Sequence, residues 1–359
     1  MFIIVLVLIL IFLSLNFLFY TSIKKTFPNK KNETAEQKIS IVVAAKNEEK
    51  NIPSLIDALN NQNYNQDNYE VIIVDDSSTD STFNLAKELS SSHKNFTIIK
   101  AEPKNFPGKK GALKKGIEKS NHDFILITDA DCLPQQEWLK KSSERFSVGN
   151  DFIFGIAPFY VEESFINNVS SFENIRSNIL TFSAAKIGFP YSAAARNFGF
   201  KKSSFEKIKG YSNTTETLSG DDDLLIREAV KNKMKIGLLT EKGSYVYSET
   251  KDTLKEYLNQ KARQTQTSLY YLTRHKLFLG FWHLLNLFFL FSPLMQFVDP
   301  IFLSFFFIKL ITDVIIVSNL QKYFGYKFSL IKIFYLQIMY EIFLIINFVN
   351  AILGRSDWK

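Results

Sequence analysis

Nineteen consecutive residues, Phe2 to Tyr20, are interrupted by only two polar side chains, Ser14 and Asn16. As a helix rising about 1.5 Å per residue, such a run reaches roughly 28 Å, close to the hydrocarbon thickness of a bilayer. Inside lipid the backbone must satisfy its own polar groups, so a lone segment of this kind has only the helix open to it. No positive charge precedes the run and no small-x-small pattern follows it, which favours an uncleaved anchor over a cleaved signal peptide. Lys24, Lys25, Lys30 and Lys31 come next, and the positive-inside rule places the following domain in the cytoplasm.

Three more apolar stretches lie near the C-terminus. Leu277–Val298 carries no charge, and Ile301–Leu320 carries Lys309 and Asp313. These two are four residues apart and can pair on one helix face. Ser329–Leu353 carries Lys332 and Glu341, and a charge within a span usually faces protein. Lys322 and Lys327 suggest a cytoplasmic loop before that last stretch. With four full spans the tail ends outside. With a re-entrant or interfacial last stretch it stays inside, and the sequence leaves both open. The expected organisation is an anchor over 1–22, a basic linker over 23–38, a cytoplasmic catalytic domain over 39–274, a membrane region of two or three helices over 275–353, and a tail over 354–359. The expected location is the cell membrane.

Lys and Arg number 43 against 36 Asp and Glu, a net charge of +7. Beside such apolar ends this charge suits anionic headgroups, and no basic stripe with interleaved aromatics marks a nucleic-acid partner. Cys132 is the only cysteine, which excludes an internal disulfide and a Cys/His zinc cluster.

Between the greasy ends, strands alternate with helices. Ile39–Ala45, Val71–Val74, Phe96–Ile99 and Phe124–Thr128 read as strands, with helices at Asn51–Leu59, Ser81–Leu89 and Lys109–Lys119. Continuous apolar strands separated by helices predict a parallel sheet covered on both faces. Such sheets bind ligands beyond the carboxyl ends of their strands. Polar clusters stand at those ends: Lys46–Glu49, Asp75–Asp80 and Asp129–Asp131. Further on, Phe152–Tyr160 reads as a strand, Ser164–Lys186 as a long helix and Tyr191–Phe200 as extended chain. Asp222–Asn232 reads as a helix, Lys235–Leu239 and Tyr245–Ser248 as short strands, and Thr253–Arg274 as one amphipathic helix leading to the membrane.

Five motifs carry chemistry, each with a plainer alternative. Asp129–Ala130–Asp131 follows a strand, so two carboxylates can direct oxygens at one hard cation, Mg²⁺ or Mn²⁺; a solvated turn is the alternative. Asp75 and Asp76 can accept hydrogen bonds from a base or ribose, while Thr79–Asp80 caps the next helix. Gly108–Lys109–Lys110–Gly111 opens a helix whose N-terminus suits a diphosphate, without the spacing of a P-loop. Gly220 precedes three acids, Asp221, Asp222 and Asp223, at a helix start; capping needs fewer, and one could act as a general base. Gln260 and Arg263 share a helix face, and Arg263 could neutralise a leaving diphosphate or simply flank the membrane.

In this order the segments resemble family 2 glycosyltransferases, over roughly Ile39 to Arg263. The matching pieces are Ala45–Glu49, Val74–Asp80, Gly108–Lys109 with Gly111–Leu113, Asp129–Asp131, Gly220–Leu224 and Gln260 with Arg263. The likeness is strongest to the membrane-integrated branch that includes ceramide glucosyltransferases and hyaluronan- or cellulose-type synthases. The resemblance implies a GT-A fold, an α/β Rossmann-like and mostly parallel sheet with helices on both faces. It also implies a nucleotide-sugar donor, with a UDP-sugar expected, and a lipid or saccharide acceptor. Ala45, Asn47, Glu48, Asp75, Asp76, Lys109, Asp129 and Gln260 would bind the donor. Asp131, with Asp129, would hold the metal. Asp221 would be the base, with Asp222 as the fallback, and Arg263 would meet the diphosphate. Gly220 stands where the family often has Glu, which is why the base could shift. Gln264 stands where many members have the Trp that shapes a processive acceptor site. Single-sugar transfer with inversion is the expectation. A processive synthase, an inactive scaffold and a nucleotidyltransferase on a similar sheet are the alternatives.

Overall fold

The apolar runs form the sheet they predict. β1 (Ile39–Ala45), β2 (Tyr69–Asp75), β3 (Phe96–Lys100) and β4 (Phe124–Asp129) are parallel neighbours. β1 and β2 are buried almost throughout, as expected of strands covered on both faces. In this computed structural model, which describes residues 2–27 and 36–353, five further strands follow. They are β5 (Cys132–Pro134), β6 (Phe152–Gly155), β7 (Phe198–Lys201), β8 (Ile236–Leu239) and β9 (Val246–Ser248). The main sheet runs β3-β2-β1-β4-β7-β6-β8, with β7 antiparallel to both its neighbours, and β5 pairs with β9 in a separate ribbon. Lys30, Lys31 and the tail 354–359 lie outside the described residues.

The chain begins with α1 (Phe2–Thr26), and helices then cover both faces of the sheet. On one face α2 (Ile52–Asn60) and α3 (Thr82–Leu89) share a core with Ile41, Val43 and Leu126. On the other, α4 (Gly108–Lys119) packs Leu113 and Ile117 with Val42, Ile125 and Ile127. α5 (Trp138–Ser147) joins the first face; α6 (Phe165–Lys186) joins the second, with Ser164 capping it by accepting from the Asn167 N–H. A short α7 (Lys202–Lys207) leads towards α8 (Asp223–Lys231), and α8 packs Leu225 and Ile226 against the second face.

The expected strand Phe152–Tyr160 is shorter, because β6 ends at Gly155. The Asn197 side chain fills the space beside Gly155 and donates to the carbonyls of Ile156 and Ser244 at 2.9 and 3.0 Å. The chain then leaves the sheet and pairs with β9, where Tyr160 N–H donates to Ser248 at 3.0 Å. The expected extended run Tyr191–Phe200 holds a 3₁₀ turn at Ala195–Asn197 and becomes a strand only at Phe198.

The expected single helix Thr253–Arg274 is two. α9 (Leu254–Ser268) starts in a Thr253–Glu256 capping box and stops four residues before α10 (Thr273–Phe291). The break turns Tyr271 inward, where its hydroxyl donates to Asp223 at 2.5 Å. α11 (Phe302–Leu320) and α12 (Leu330–Leu353) complete the chain. Four segments are long and apolar enough to cross a membrane: Ile3–Thr26, Thr273–Met295, Phe302–Phe324 and Leu330–Leu353. They mark a membrane protein. Lys309 and Asp313 pair as predicted, at 2.8 Å, and Lys309 also meets Glu341 at 2.8 Å and Asn286 at 2.8 Å. Arg176 of α6 meets Asp313 at 3.0 Å, so Glu341 belongs to a fully buried network of two cations and two anions.

Candidate active site

Register brings the acid clusters to one rim. Ala45 ends β1 beside Asp75 of β2, and Ala44 lies beside Asp129 of β4. The turns after β1 and β2 are laced together. Asn47 Oδ1 accepts from the Thr79 N–H at 2.8 Å, Glu48 N–H donates to Thr82 Oγ1 at 2.7 Å, and Ser81 N–H donates to Glu49 Oε2 at 3.0 Å. The expected cap at Thr79–Asp80 is displaced by one residue: Ser81 holds the N-cap position of α3 without a side-chain cap, Thr79 is spent on Asn47, and Asp80 accepts from the Thr82 N–H at 3.0 Å. Asn47 therefore spends its side-chain oxygen on the loop. The Ala45 carbonyl likewise accepts from the Asp76 N–H at 2.7 Å.

Asp76 is buried and its carboxylate is paired with Lys104. Asp75 is also buried, and its Oδ1 has no hydrogen-bond partner among the described residues. A buried acceptor left open costs about 1–3 kcal/mol, so it suits a ligand N–H or hydroxyl.

At the next position along the rim, Lys109 joins two acids from distant parts of the chain. Its Nζ lies 2.6 Å from Asp129 Oδ1 and 2.7 Å from Asp221 Oδ2. Burial opposes the Lys109 charge, but the two carboxylates overcome it and raise its pKa well above the usual value. Burial also opposes the Asp221 charge, and the Lys109 ammonium leaves that carboxyl below its ordinary pKa. Asp129 goes the other way, raised by burial with Asp131 and Asp221 adding to it. Glu48 is raised by burial and then by the charges of Asp131 and Asp129, so it shares their field.

Asp129, Asp131 and Cys132 present ligand atoms within 4.8 Å of one another. The Cys132 thiol donates to Asp131 Oδ1 at 3.4 Å, and burial pushes its pKa well up. A soft thiol is in any case a poor ligand for a hard cation. Two carboxylates remain, which fit a hard, oxygen-seeking ion such as Mg²⁺ or Mn²⁺.

The three adjacent acids divide their work. Asp222 caps α8 by accepting from the Asp223 N–H at 2.7 Å, and accepts from the Ala195 N–H at 2.6 Å. Asp223 accepts from Ser192 Oγ at 2.7 Å, the Ala193 N–H at 3.0 Å and Tyr271. Asp221 alone faces Lys109 and Asp129.

Residues 40–209 match the profile described as glycosyl transferase family 2. That domain belongs to the family. Glycosyltransferase AglE of Haloferax volcanii is 31% identical over 34% of this chain and 40% of its own length. The dolichyl N-acetyl-alpha-D-glucosaminyl phosphate 3-beta-D-2,3-diacetamido-2,3-dideoxy-beta-D-glucuronosyltransferase of Methanococcus voltae is 38% identical over 30% of this chain and 33% of its own. The chain thus spans only a third to two fifths of the length of these relatives. The mannosyltransferase PcManGT of Pyrobaculum calidifontis, solved with GDP-Man and Mn²⁺, shares the fold with a TM-score of 0.60. That match covers 98% of this chain and 99% of that one at 17% identity.

Gly220 has a local reason. Its φ is +78°, and a Cβ there would come within 2.8 Å of both Leu224 and Thr267. Thr267 lies on α9 one turn after Arg263, whose carbonyl accepts from the Thr267 hydroxyl at 3.1 Å. Gln260 and Arg263 thus ride on the helix that presses against the Asp221 turn, both partly buried. Sequence reading missed Lys104, Tyr271 and Ser192, which lie in loops without a motif. Lys110 has no role legible in the sequence. Lys110 is buried, its pKa is lowered to about 8 by burial, and it donates to the Thr214 carbonyl and to the Thr217 carbonyl at 2.9 Å. It ties α4 to the loop before Asp221.

Proposed function

We propose that this protein is an inverting glycosyltransferase that moves one sugar from a nucleotide-sugar, taken as a UDP-sugar, to a lipid or lipid-linked acceptor. The observation that carries the reading is the Lys109 bridge: of three adjacent acids, only Asp221 is aimed at the D-x-D carboxylate Asp129. Residues 39–274 are taken as the catalytic unit, on the cytoplasmic side of the cell membrane, consistent with Lys24 and Lys25 in the last turn of α1.

In this reading Asp75 and Asp76 receive the nucleoside, with Glu48 beside them. Asp131 and Asp129 hold Mg²⁺ or Mn²⁺, which when bound offsets the charge of the diphosphate. Lys109 and Arg263 supply fixed positive charge where the leaving diphosphate gains negative charge. Asp221 accepts the proton of the acceptor hydroxyl as that oxygen bonds to the anomeric carbon. The bond from that carbon to the diphosphate oxygen breaks, and the electron pair leaves with the nucleotide. One displacement inverts the anomeric centre. The lipid acceptor is supported by the membrane helices and by the Methanococcus voltae relative, whose name carries a dolichyl phosphate-linked sugar. Gln264, in place of the family's Trp, supports one transfer over polymerisation.

The test is donor hydrolysis and transfer in detergent across UDP-, GDP- and dTDP-sugars, with and without Mn²⁺, followed by NMR of the product anomer. Metal-dependent turnover of one donor with a β product from an α donor is expected. Retained α configuration would overturn the single displacement.

A further inference from the structure

We propose that Arg196 is a positioning residue of the reaction: it braces the Asp129–Ala130–Asp131 turn from both sides and ties it to the acids that start α8. This rests on the reading, in the proposed function, of that turn as the metal- and donor-binding site.

The turn begins where the sheet stops supporting it on one side. β7 runs beside β4 only as far as the pair Ile127–Phe198, so from Thr128 onward the chain has no strand partner on the β7 side. Arg196 takes over there. Its carbonyl accepts from the buried Thr128 hydroxyl at 2.9 Å, one residue before Asp129. Its guanidinium reaches the other end of the same turn. Nη1 donates to Ser248 Oγ, and Ser248 is the register partner of Cys132, the residue after Asp131. Nη2 donates to the Ala157 carbonyl at 2.8 Å, and the guanidinium lies 4.3 Å from the centroid of the Phe159 ring. One residue thus fixes both ends of a three-residue turn.

The segment that carries Arg196 is anchored just upstream to the acids of α8. The Ser192 hydroxyl and the Ala193 N–H donate to Asp223 at 2.7 and 3.0 Å, and the Ala195 N–H donates to Asp222 at 2.6 Å. Asn197 locks the same segment sideways. Trp138 Nε1 donates to its Oδ1 at 2.9 Å, and its own amide reaches the Ile156 and Ser244 carbonyls, all within the core. From Ala193 to Arg196 the chain reaches at most about 10 Å, so a short strut joins the Asp221 turn to the D-x-D turn. The Lys109 bridge joins the same two turns by a second route, at 2.6 and 2.7 Å.

Arginine suits this place for a chemical reason. Its planar guanidinium directs two N–H groups along fixed directions and stacks on an aromatic face, which an ammonium on a flexible stem does not reproduce. Both Nη groups are committed to protein acceptors, Ser248 and Ala157, so the side chain holds the turn and does not itself grip a diphosphate. Such bracing matters because a binding constellation works only when held to about 0.5 Å of its productive geometry.

Nucleotide-sugar titration by calorimetry across a Mn²⁺ series tests this without turnover. Full-length protein in detergent is compared as wild type, Arg196→Lys and Arg196→Ala, with the melting temperature of each measured alongside. R196K keeps the charge and most of the stem, so it carries the test if R196A does not fold. Both variants are expected to need about 10- to 100-fold more Mn²⁺ for half-maximal donor binding, the usual effect of losing a residue that orients metal ligands. Lys309→Met, far from the rim, is expected to melt lower with unchanged Mn²⁺ demand. Wild-type Mn²⁺ demand in R196K, whatever its melting temperature, would overturn the proposal, as would an equal shift in K309M. Donor binding by the wild type that ignores Mn²⁺ would instead remove the metal site of the proposed function, and this proposal with it.

Discussion

Replacing Asp221 with asparagine separates the proposed base from its neighbours. The side chain keeps its shape and one acceptor oxygen but can no longer take a proton. Lys109 keeps its contact with Asp129, 2.6 Å away, so the rim of the sheet retains its cation. The fold should change little, while removal of a general base raises the barrier by about 2.7–5.4 kcal/mol, a 10²–10⁴-fold loss of kcat. The matched control is Asp222→Ala. It strips acceptors from the Ala195 and Asp223 N–H groups, 2.6 and 2.7 Å away. Each orphaned buried donor costs about 1–3 kcal/mol, so this variant should melt several degrees lower. The assay is initial rate at saturating donor and acceptor, with donor affinity by calorimetry and melting temperature measured in the same detergent. D221N should bind donor normally, melt normally and turn over at least a hundredfold more slowly. D221N within tenfold of the wild-type rate, or a full loss of turnover in D222A at unchanged melting temperature, would refute the assignment.

Three further outcomes follow from the same geometry. Lys109→Met removes the cation that holds the Asp221 pKa down, so that pKa rises; the rate needs ionised Asp221, and the acidic limb of the pH–kcat profile should move to higher pH. Gly220→Ala puts a Cβ at φ +78° and within 2.8 Å of Leu224 and Thr267, and should cost about 1–3 kcal/mol in thermal or denaturant unfolding. Lys309→Met leaves Asp313 and Glu341 buried without their shared cation, and should destabilise the membrane region by about 3–5 kcal/mol, read as a lower melting temperature in detergent.

Strands β1, β2 and β4 were legible because a parallel strand covered on both faces must be apolar at successive positions, and Ile41–Ala45, Val71–Val74 and Phe124–Ile127 are. That the acid clusters stand together was legible for a related reason, since they follow strands of one parallel sheet, whose register brings such ends to one rim. Which acid faces which was not legible. Asp221 meets Lys109 across more than a hundred residues of chain, and the division of labour among Asp221, Asp222 and Asp223 depends on the N–H groups of Ala193 and Ala195. The Asp76–Lys104 and Asp223–Tyr271 contacts carry no local signal either. Helix ends were misjudged where a side chain overrode periodicity: the amphipathic pattern runs through residues 269–272, but Tyr271 turns in to Asp223 and the helix breaks.

Donor titration by calorimetry, with and without Mn²⁺, in the wild type and in Asp131→Asn tests the proposed metal role of the rim most directly. Tight nucleotide-sugar binding that appears only with Mn²⁺ and is lost in the variant is predicted. Equal affinity in all four titrations would contradict a donor site built on Asp129 and Asp131.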